Sequence, residues 1–259
     1  MLKKLIPLML ILLLMTACSK EPPAPPEVPT TPPVTVPTEG PTLTPATEPT
    51  SEHHSELYIP GVSVENVILF FNEVCLDAEY SHSGDPGLLQ KWISPITFYL
   101  HGSPTDGDLE TLNSLVQWLN TVEGFPGICQ TQEAAEANLN IHFCDQEEMI
   151  ALMGTDFHDM DGAVTFWYMD DVIYDALICY RSDLDQYLRN SVILEEIYNG
   201  LGPIQDTHLR PDSIIYAEYS EPQALTDMDR LILQLLYHPE MKCGMDSAEC
   251  EAMIRQLYY

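Results

Sequence analysis

Residues 192–206, VILEEIYNGLGPIQD, are the stretch of this chain that decides its fold. Apolar residues with helical spacing predict a helix that begins near Leu184 or Arg189 and runs to Leu201. Gly202 ends it, because a glycine after the last helical turn adopts the backbone conformation that stops a helix. We therefore expect a helix that is followed at once by a sharp change of chain direction.

The polar residues of this stretch have a spacing that brings side chains together. Glu195 and Asn199 are four residues apart, so both lie on one side of the helix. The turn at Gly202 lets Gln205, six residues after Asn199, approach the same point. The spacing predicts three oxygen-bearing side chains around one position.

This pattern resembles the metzincin zinc peptidases, which carry H-E-x-x-H-x-x-G-x-x-H on a helix that follows a strand. When the two are aligned on Gly202, Glu196 takes the position of the general base. The three histidine positions are then occupied by Glu195, Asn199 and Gln205. The resemblance implies a zinc-peptidase scaffold from which the metal-binding imidazoles are missing.

Further motifs follow in the same order. Residues 213–216, SIIY, resemble the metzincin Met-turn with isoleucine in place of methionine. Together with EEIYNGLGPIQD at 195–206, LLY at 235–237 and CGM at 243–245, they are similar to the domain-of-unknown-function family numbered 2927, over about residues 90–246. The resemblance implies an α+β fold: a metzincin- or zincin-like mixed sheet with an active-site-type helix and C-terminal helices.

The chain departs from that family's pattern at Asn199 and Gln205, and the departure bears on metal binding. A Glu, Asn and Gln set offers one charge and two neutral oxygens, which suits calcium or magnesium better than zinc. We therefore expect no zinc and no cofactor, with calcium or another hard cation as the alternative. Without a Lewis acid to activate water, Glu196 is a vestigial general-base position.

Three residues beyond the turn complete the candidate cleft: Asp206, His208 and Tyr216. Asp206 and His208 are alternative metal ligands by residue type. The polar groups of the helix have two explanations, which the sequence leaves open. They form a polar network that braces the fold where a metal would sit, or they form a ligand site in which a glutamate pairs with a cation.

The N-terminus predicts export and lipidation. Lys3 and Lys4 precede a short apolar run at residues 5–15, so residues 1–17 have the features of a signal peptide. Small residues directly before Cys18 resemble the lipobox of bacterial lipoproteins, which implies diacylglycerol on the Cys18 thiol and further acyl chains such as palmitate. Burial of these chains anchors a protein at about 0.8 kcal/mol per CH2. We expect location at the extracytoplasmic face of the cell membrane.

Residues 18–56 are predicted to be a linker. Eleven of the chain's 21 prolines lie within residues 21–50. Such a segment buries little apolar surface and favours extended polyproline II. Residues 57–259 are long enough for one domain.

Periodicity and capping signals predict the elements of this domain. Six helices are expected: from about Ser63 to Cys75, over 108–122, after Asp145, up to Leu201, from Thr226 to Tyr237 and over 247–257. Asp145 is expected to form a capping box with Glu148, and the helix that ends at Leu201 is the one described above. Strands are expected at 91–100, with Pro95 at an edge or a strand start, and at 139–143, 162–168 and 174–180. This order predicts an α+β domain with a mixed sheet.

Six cysteines follow Cys18, and outside the cytoplasm an even number indicates disulfides. Cys243 with Cys250 is the easiest local pair. Buried free thiols are the alternative.

The net charge of −30 excludes nucleic acid, because phosphate backbones would be repelled. The residues together predict a membrane-anchored lipoprotein with a degenerate, non-catalytic peptidase-like domain that binds a protein, a peptide or a cell-envelope ligand. One alternative is an active hydrolase with non-standard ligands and Glu196 as general base. A second is a solute-binding lipoprotein, although those are larger and two-lobed.

Overall fold

A computed structural model describes residues 55–76 and 87–259. The predicted signal peptide 1–17, the lipidation site Cys18 and the linker up to residue 54 lie outside the described residues, so these expectations stay predictions. No helix in the described part of the chain combines the length and the apolar character needed to cross a membrane.

Helices of the described residues begin at side-chain caps, and the sequence predicts those at Asp145 and Thr226. The Thr105 hydroxyl accepts from the Asp108 amide at 3.2 Å, and Asp108 accepts from the Thr105 amide at 2.7 Å. Thr226 and Asp229 form the same reciprocal box, whereas Asp145 caps its helix through the Glu148 amide alone. Each box satisfies amide groups that a helix leaves unpaired at its start. The described residues form α1 Val64–Leu76, α2 Asp106–Leu119, α3 Gln146–Met153, α4 Gln186–Gly200, α5 Asp227–Tyr237 and α6 Ser247–Leu257.

The predicted strands are found with two differences: Ile128–Gln130 forms a strand that was not predicted, and the chain departs from the prediction at Pro95. The single strand expected over 91–100 is wrong: the chain breaks at Ser94 and Pro95, and two strands follow different neighbours. Proline lacks an amide hydrogen, so it stands before the second strand rather than inside a ladder. The described residues form β1 Lys91–Trp92, β2 Ile96–Gly102, β3 Ile128–Gln130, β4 Leu139–Cys144, β5 Gly162–Met169 and β6 Val172–Arg181.

These strands form one mixed sheet. Five of them follow the order β1-β6-β4-β2-β3, and β5 also pairs with β6. All neighbours are parallel except β5 and β6, which form an antiparallel hairpin. β2 lies between β4 and β3, so it is an interior strand and not the edge that Pro95 allowed. The expected α+β class with a mixed sheet is confirmed.

The main core lies between one face of the sheet and the helices α2 and α4. Ile141 and Ile178 are paired in register on β4 and β6, and neither is exposed. The Cα of Gly200 packs against Ile178 and Val164, which places the end of α4 directly on β6 and β5. Burial of this apolar face stabilises the fold by roughly 25 cal/mol per Å². The sheet therefore sets the position of α4.

The opposite face of the sheet is covered at one end by α3. A second, smaller apolar cluster forms there from Cys144, Met149, Met153, Phe157, Ala163 and Cys179. Elsewhere α1 packs against α5 and α6, and the Tyr258 hydroxyl donates to the Val62 carbonyl at 3.0 Å. The first and last described segments of the domain are thus held together.

Candidate functional site

Helix α4 carries the candidate site and is held at both ends. Asp185 caps its start by accepting from the Tyr187 and Leu188 amides at 3.0 and 3.2 Å. At its end, the indole of Trp92 donates to the Gly200 carbonyl at 2.9 Å. The Tyr237 hydroxyl donates to the Leu201 carbonyl at 2.8 Å. Buried side chains thus satisfy carbonyls that the last turn leaves free, so the helix cannot slide along the sheet.

Gly202 makes the turn that the sequence predicts. Its φ is +131°, and a Cβ atom would lie 2.8 Å from the Gln90 carbonyl oxygen. Only glycine fits this backbone and this close approach. Beyond the turn, the Gln205 amide donates to the Val74 carbonyl at 3.3 Å. Gln205 is therefore attached through its backbone to the end of α1.

Glu196 is buried beneath the start of strand β5. Only 7% of the residue is exposed, and its carboxyl oxygen lies so close to Gly162 that a Cβ there would be 2.8 Å away. Its carboxylate has no hydrogen-bond partner among the residues the structure describes. Burial raises the pKa of Glu196 well above its ordinary value, and the charges of Glu195 and Asp206 raise it further.

Glu195 and Asp206 form an acidic pair beside Glu196. Burial, then the charges of Asp206 and Asp161, raise the pKa of Glu195 to about 8. Burial raises the pKa of Asp206 to about 6, although His208 acts to lower it. Both Asp206 oxygens are shielded from solvent without a hydrogen-bond partner in the described structure. The site therefore concentrates ionisable carboxyl groups whose charged forms are disfavoured.

The remaining predicted residues lie around this cluster in different ways. Asn199 is 4% exposed, and its amide oxygen has no partner among the described residues. His208 is exposed, with its ring edge-on to the Tyr216 ring at 6.3 Å. A backbone bridge between Thr207 and Tyr216 brings these two rings together. Of the predicted set, Asp206 joins the glutamates, and His208 and Tyr216 lie at the rim.

The segment that resembles a Met-turn is a buried structural element. Ser213 and Ile215 are fully buried, and Ile214 is nearly so. The Ser213 hydroxyl donates to Asp229 Oδ1 at 2.6 Å, and the Ile214 amide donates to Oδ2 at 3.3 Å. Tyr198 of α4 also donates its hydroxyl to the Asp229 carbonyl at 3.1 Å. This element thus connects α4 to the start of α5.

The residues present do not fit a zinc ion. Within residues 55–76 and 87–259, no three or more His, Cys, Asp or Glu side chains meet in a way that could hold a metal. The three positions that resemble zinc ligands offer only oxygen atoms, whereas zinc peptidases use imidazole nitrogens.

The predicted disulfide between Cys243 and Cys250 is not formed, and both are free thiols. Cys250 is fully buried on α6. Cys243 precedes that helix and lies 3.9 Å from the Lys91 carbonyl oxygen. Both thiols act on Lys91, yet they are not bonded to each other.

Two contributors to the site were not predicted from the sequence: Asp161 and Gly162, where β5 begins, border Glu195 and Glu196. No local signal could reveal this, because the contact arises from the packing of α4 on β5. The pairing of Asp229 with Thr226 at the start of α5, in contrast, could be predicted, since the two residues have capping-box spacing.

The fold and site define an α+β domain whose central helix carries buried, unpaired carboxyl groups. The chain belongs to the family DUF2927, described as a protein of unknown function, whose model matches residues 65–256. No curated protein was found to match the chain.

Proposed function

We propose that this protein is an exported lipoprotein, anchored through lipid on Cys18, whose metzincin-like domain binds a ligand and does not cleave it. A mixed sheet followed by a helix and a glycine turn supports the zinc-peptidase ancestry. Oxygen donors at all three ligand positions, Glu195, Asn199 and Gln205, support the loss of catalysis.

One observation carries the binding proposal: Glu196 is buried, both Asp206 oxygens are shielded from solvent, and the charges of Glu195 and Asp206 act on Glu196. Among the described residues, neither lysine nor arginine forms an ion pair with any of them. Burial of unpaired carboxyl groups is unfavourable unless they are protonated or gain a partner. A positively charged group from a ligand would offset that cost.

The buried amide oxygen of Asn199 supports the same conclusion. Asn199 lies one turn after Glu195 on α4, and its oxygen can accept a hydrogen bond that nothing in the described protein donates. An ammonium or guanidinium group supplies both charge and donors. We therefore propose a peptide or cell-envelope ligand with a cationic group.

The chemistry of Glu196 argues against hydrolysis. A general base must be ionised near the working pH, whereas burial and the charges of Glu195 and Asp206 raise the pKa of Glu196 well above its ordinary value and disfavour its ionised form. The high net charge of −30 favours encounter with cationic partners instead.

The test uses the purified full chain after treatment with a chelator. A fluorescent oligolysine peptide should bind saturably, and Glu195→Gln with Asp206→Asn should weaken the affinity about tenfold or more. Glu110→Gln, at an exposed position, is the matched control. Calcium in place of the peptide tests whether a simple cation binds as well as the cationic peptide does.

Two results would overturn the proposal. If the paired substitution leaves peptide and calcium affinity unchanged, the acidic cluster is not a ligand site. If the protein binds stoichiometric zinc and cleaves peptides, with cleavage lost in Glu196→Gln, the domain is an active hydrolase.

A further inference from the structure

A cavity of about 330 Å³ lies at the start of α5. Three segments line it: Ile59 and Val62 near the first described residues, the turn that contains Arg210 and Asp212, and residues 225–228. It shares no lining residue with the acidic site of α4. Pockets for small molecules begin at about 300 Å³, so the cavity has room for one small solute.

The wall formed by Ile59 and Val62 is held by the C-terminal end of the chain. The Tyr258 hydroxyl accepts from the Ile59 amide at 3.2 Å and donates to the Val62 carbonyl at 3.0 Å. The Val62 amide also donates to the Ile59 carbonyl at 3.1 Å. These bonds fix the backbone of this wall.

The other two walls are held by one buried carboxylate. Asp229 accepts from the Ser213 hydroxyl at 2.6 Å and from the Thr226 amide at 2.8 Å. The Ser213 amide donates to the Arg210 carbonyl at 3.0 Å, which closes the turn that carries Arg210. All three walls are thus formed without a ligand, and a preformed cavity loses little conformational entropy when it binds one.

The cavity has an apolar part and a charged part. Leu225 and Met228 are buried and Ile59 and Val62 are half-buried, so their side chains form an apolar lining. An apolar group of a ligand would be removed from water there, which favours binding in proportion to its area.

The charged part offers a cation and a free carboxylate. Arg210 Nη2 donates to Asp212 Oδ2 at 2.8 Å, and Arg210 Nε is shielded from solvent. Nη1 has no partner among the described residues and is not shielded, so its hydrogens can bind an acceptor. The Asp227 carboxylate is exposed and also has no partner in the described part of the chain.

We propose that this cavity binds a free α-amino acid with an apolar side chain. Arg210 Nη1 donates to the α-carboxylate, and Asp227 accepts from the α-ammonium group. Asp212 orients the guanidinium, and the side chain of the ligand lies among the four apolar residues. A zwitterion has no net charge, so the charge of −30 on the protein does not repel it as it would repel an anion.

The test is isothermal titration calorimetry of the full chain with leucine. One leucine per chain is expected to bind. Arg210→Gln and Asp227→Asn should each lower the affinity about tenfold or more, because each removes one charged contact. Arg255→Gln, at an exposed ion pair of α6, is the matched control and should keep the parent affinity. Circular dichroism of each variant shows that it is folded.

Leucine analogues test the two charged contacts without any substitution. 4-Methylpentanoate lacks the ammonium group and isopentylamine lacks the carboxylate, so each should bind about tenfold or more weakly than leucine. Glycine lacks the apolar side chain and should also bind more weakly. Absence of leucine binding, or equal affinities of leucine and isopentylamine, would overturn the proposal. Loss of leucine binding in Glu195→Gln would place the ligand at α4 and would overturn it as well.

Discussion

The Ser213 hydroxyl donates a hydrogen bond of 2.6 Å to Asp229 Oδ1, and both residues are fully buried. Ser213 belongs to the turn that follows the candidate site, and Asp229 lies in the first turn of α5. This one carboxylate also accepts from Thr226 and from the Ile214 amide. It is the junction that holds the segment beyond α4 in place.

Asp229→Ala should lower the free energy of unfolding by about 3 kcal/mol, because several buried donors lose their acceptor together with a helix cap. Urea unfolding followed by circular dichroism measures this change. Asp227→Ala, at an exposed position of the same helix turn, should stay within about 0.5 kcal/mol of the parent. Equal effects of the two substitutions would refute the junction role.

The buried ion pair between Asp108 and Arg189 joins the starts of α2 and α4. Asp108 is fully buried and also accepts from the Gln186 side chain at 2.8 Å. Asp108→Ala should destabilise the fold by about 3–5 kcal/mol, since it leaves an arginine charge buried without its partner. Thermal unfolding measures the loss.

The exposed pair of Arg210 and Asp212 is the matched control for that prediction. Its atoms are 2.8 Å apart, but more than half of the Asp212 side chain is accessible to solvent. Asp212→Ala should change stability by less than about 1 kcal/mol. A similar loss in both variants would show that burial of the first pair is not decisive.

Stability should fall as pH rises because of Glu195. Its pKa is about 8 in the folded protein against an ordinary value of 4.5, so the folded state keeps a proton that the unfolded chain releases. This contribution is complete below pH 4.5 and is lost as pH rises through about 8. Its size is on the order of 5 kcal/mol. Asp206 adds a smaller effect between 3.8 and about 6.

Glu195→Gln removes the titrating group, so the unfolding free energy should depend less steeply on pH. Urea unfolding across the range from 4.5 to about 8 measures the slope. Glu110→Gln has an exposed carboxyl and should keep the parent slope. An unchanged slope in Glu195→Gln would mean that Glu195 titrates normally. Binding of a cationic ligand should strengthen over the same range, as the carboxyl groups ionise.

Cys18→Ala tests the anchor predicted from the N-terminus. Without a thiol there is nothing to carry diacylglycerol, and a polyproline linker has no affinity of its own for a bilayer. The protein should move from the membrane fraction to the soluble fraction, as detected by immunoblotting after cell fractionation. Retention of the variant in the membrane, with the parent unlipidated by mass spectrometry, would contradict lipid anchoring.

Local signals predicted most helices and several strands. Thr226 and Asp229 mark the start of α5, and the glycine at 202 marks the end of α4, because a cap or a turn involves residues that are neighbours in sequence. The same locality explains the errors. Pro95 was assigned to one continuous strand, although β1 and β2 pair with different partners in the sheet.

The sequence by itself determined the character of the candidate site: a helix with two adjacent glutamates, an asparagine one turn later, and no histidine at the zinc positions. Helical periodicity and residue chemistry are properties of short segments, so they can be inferred without coordinates. Only the tertiary structure decided that Asp206 joins the glutamates, that Gly162 borders them, and that Cys243 and Cys250 remain apart. These outcomes depend on how α4 packs on β5 and β6, and such contacts between distant segments leave no local pattern.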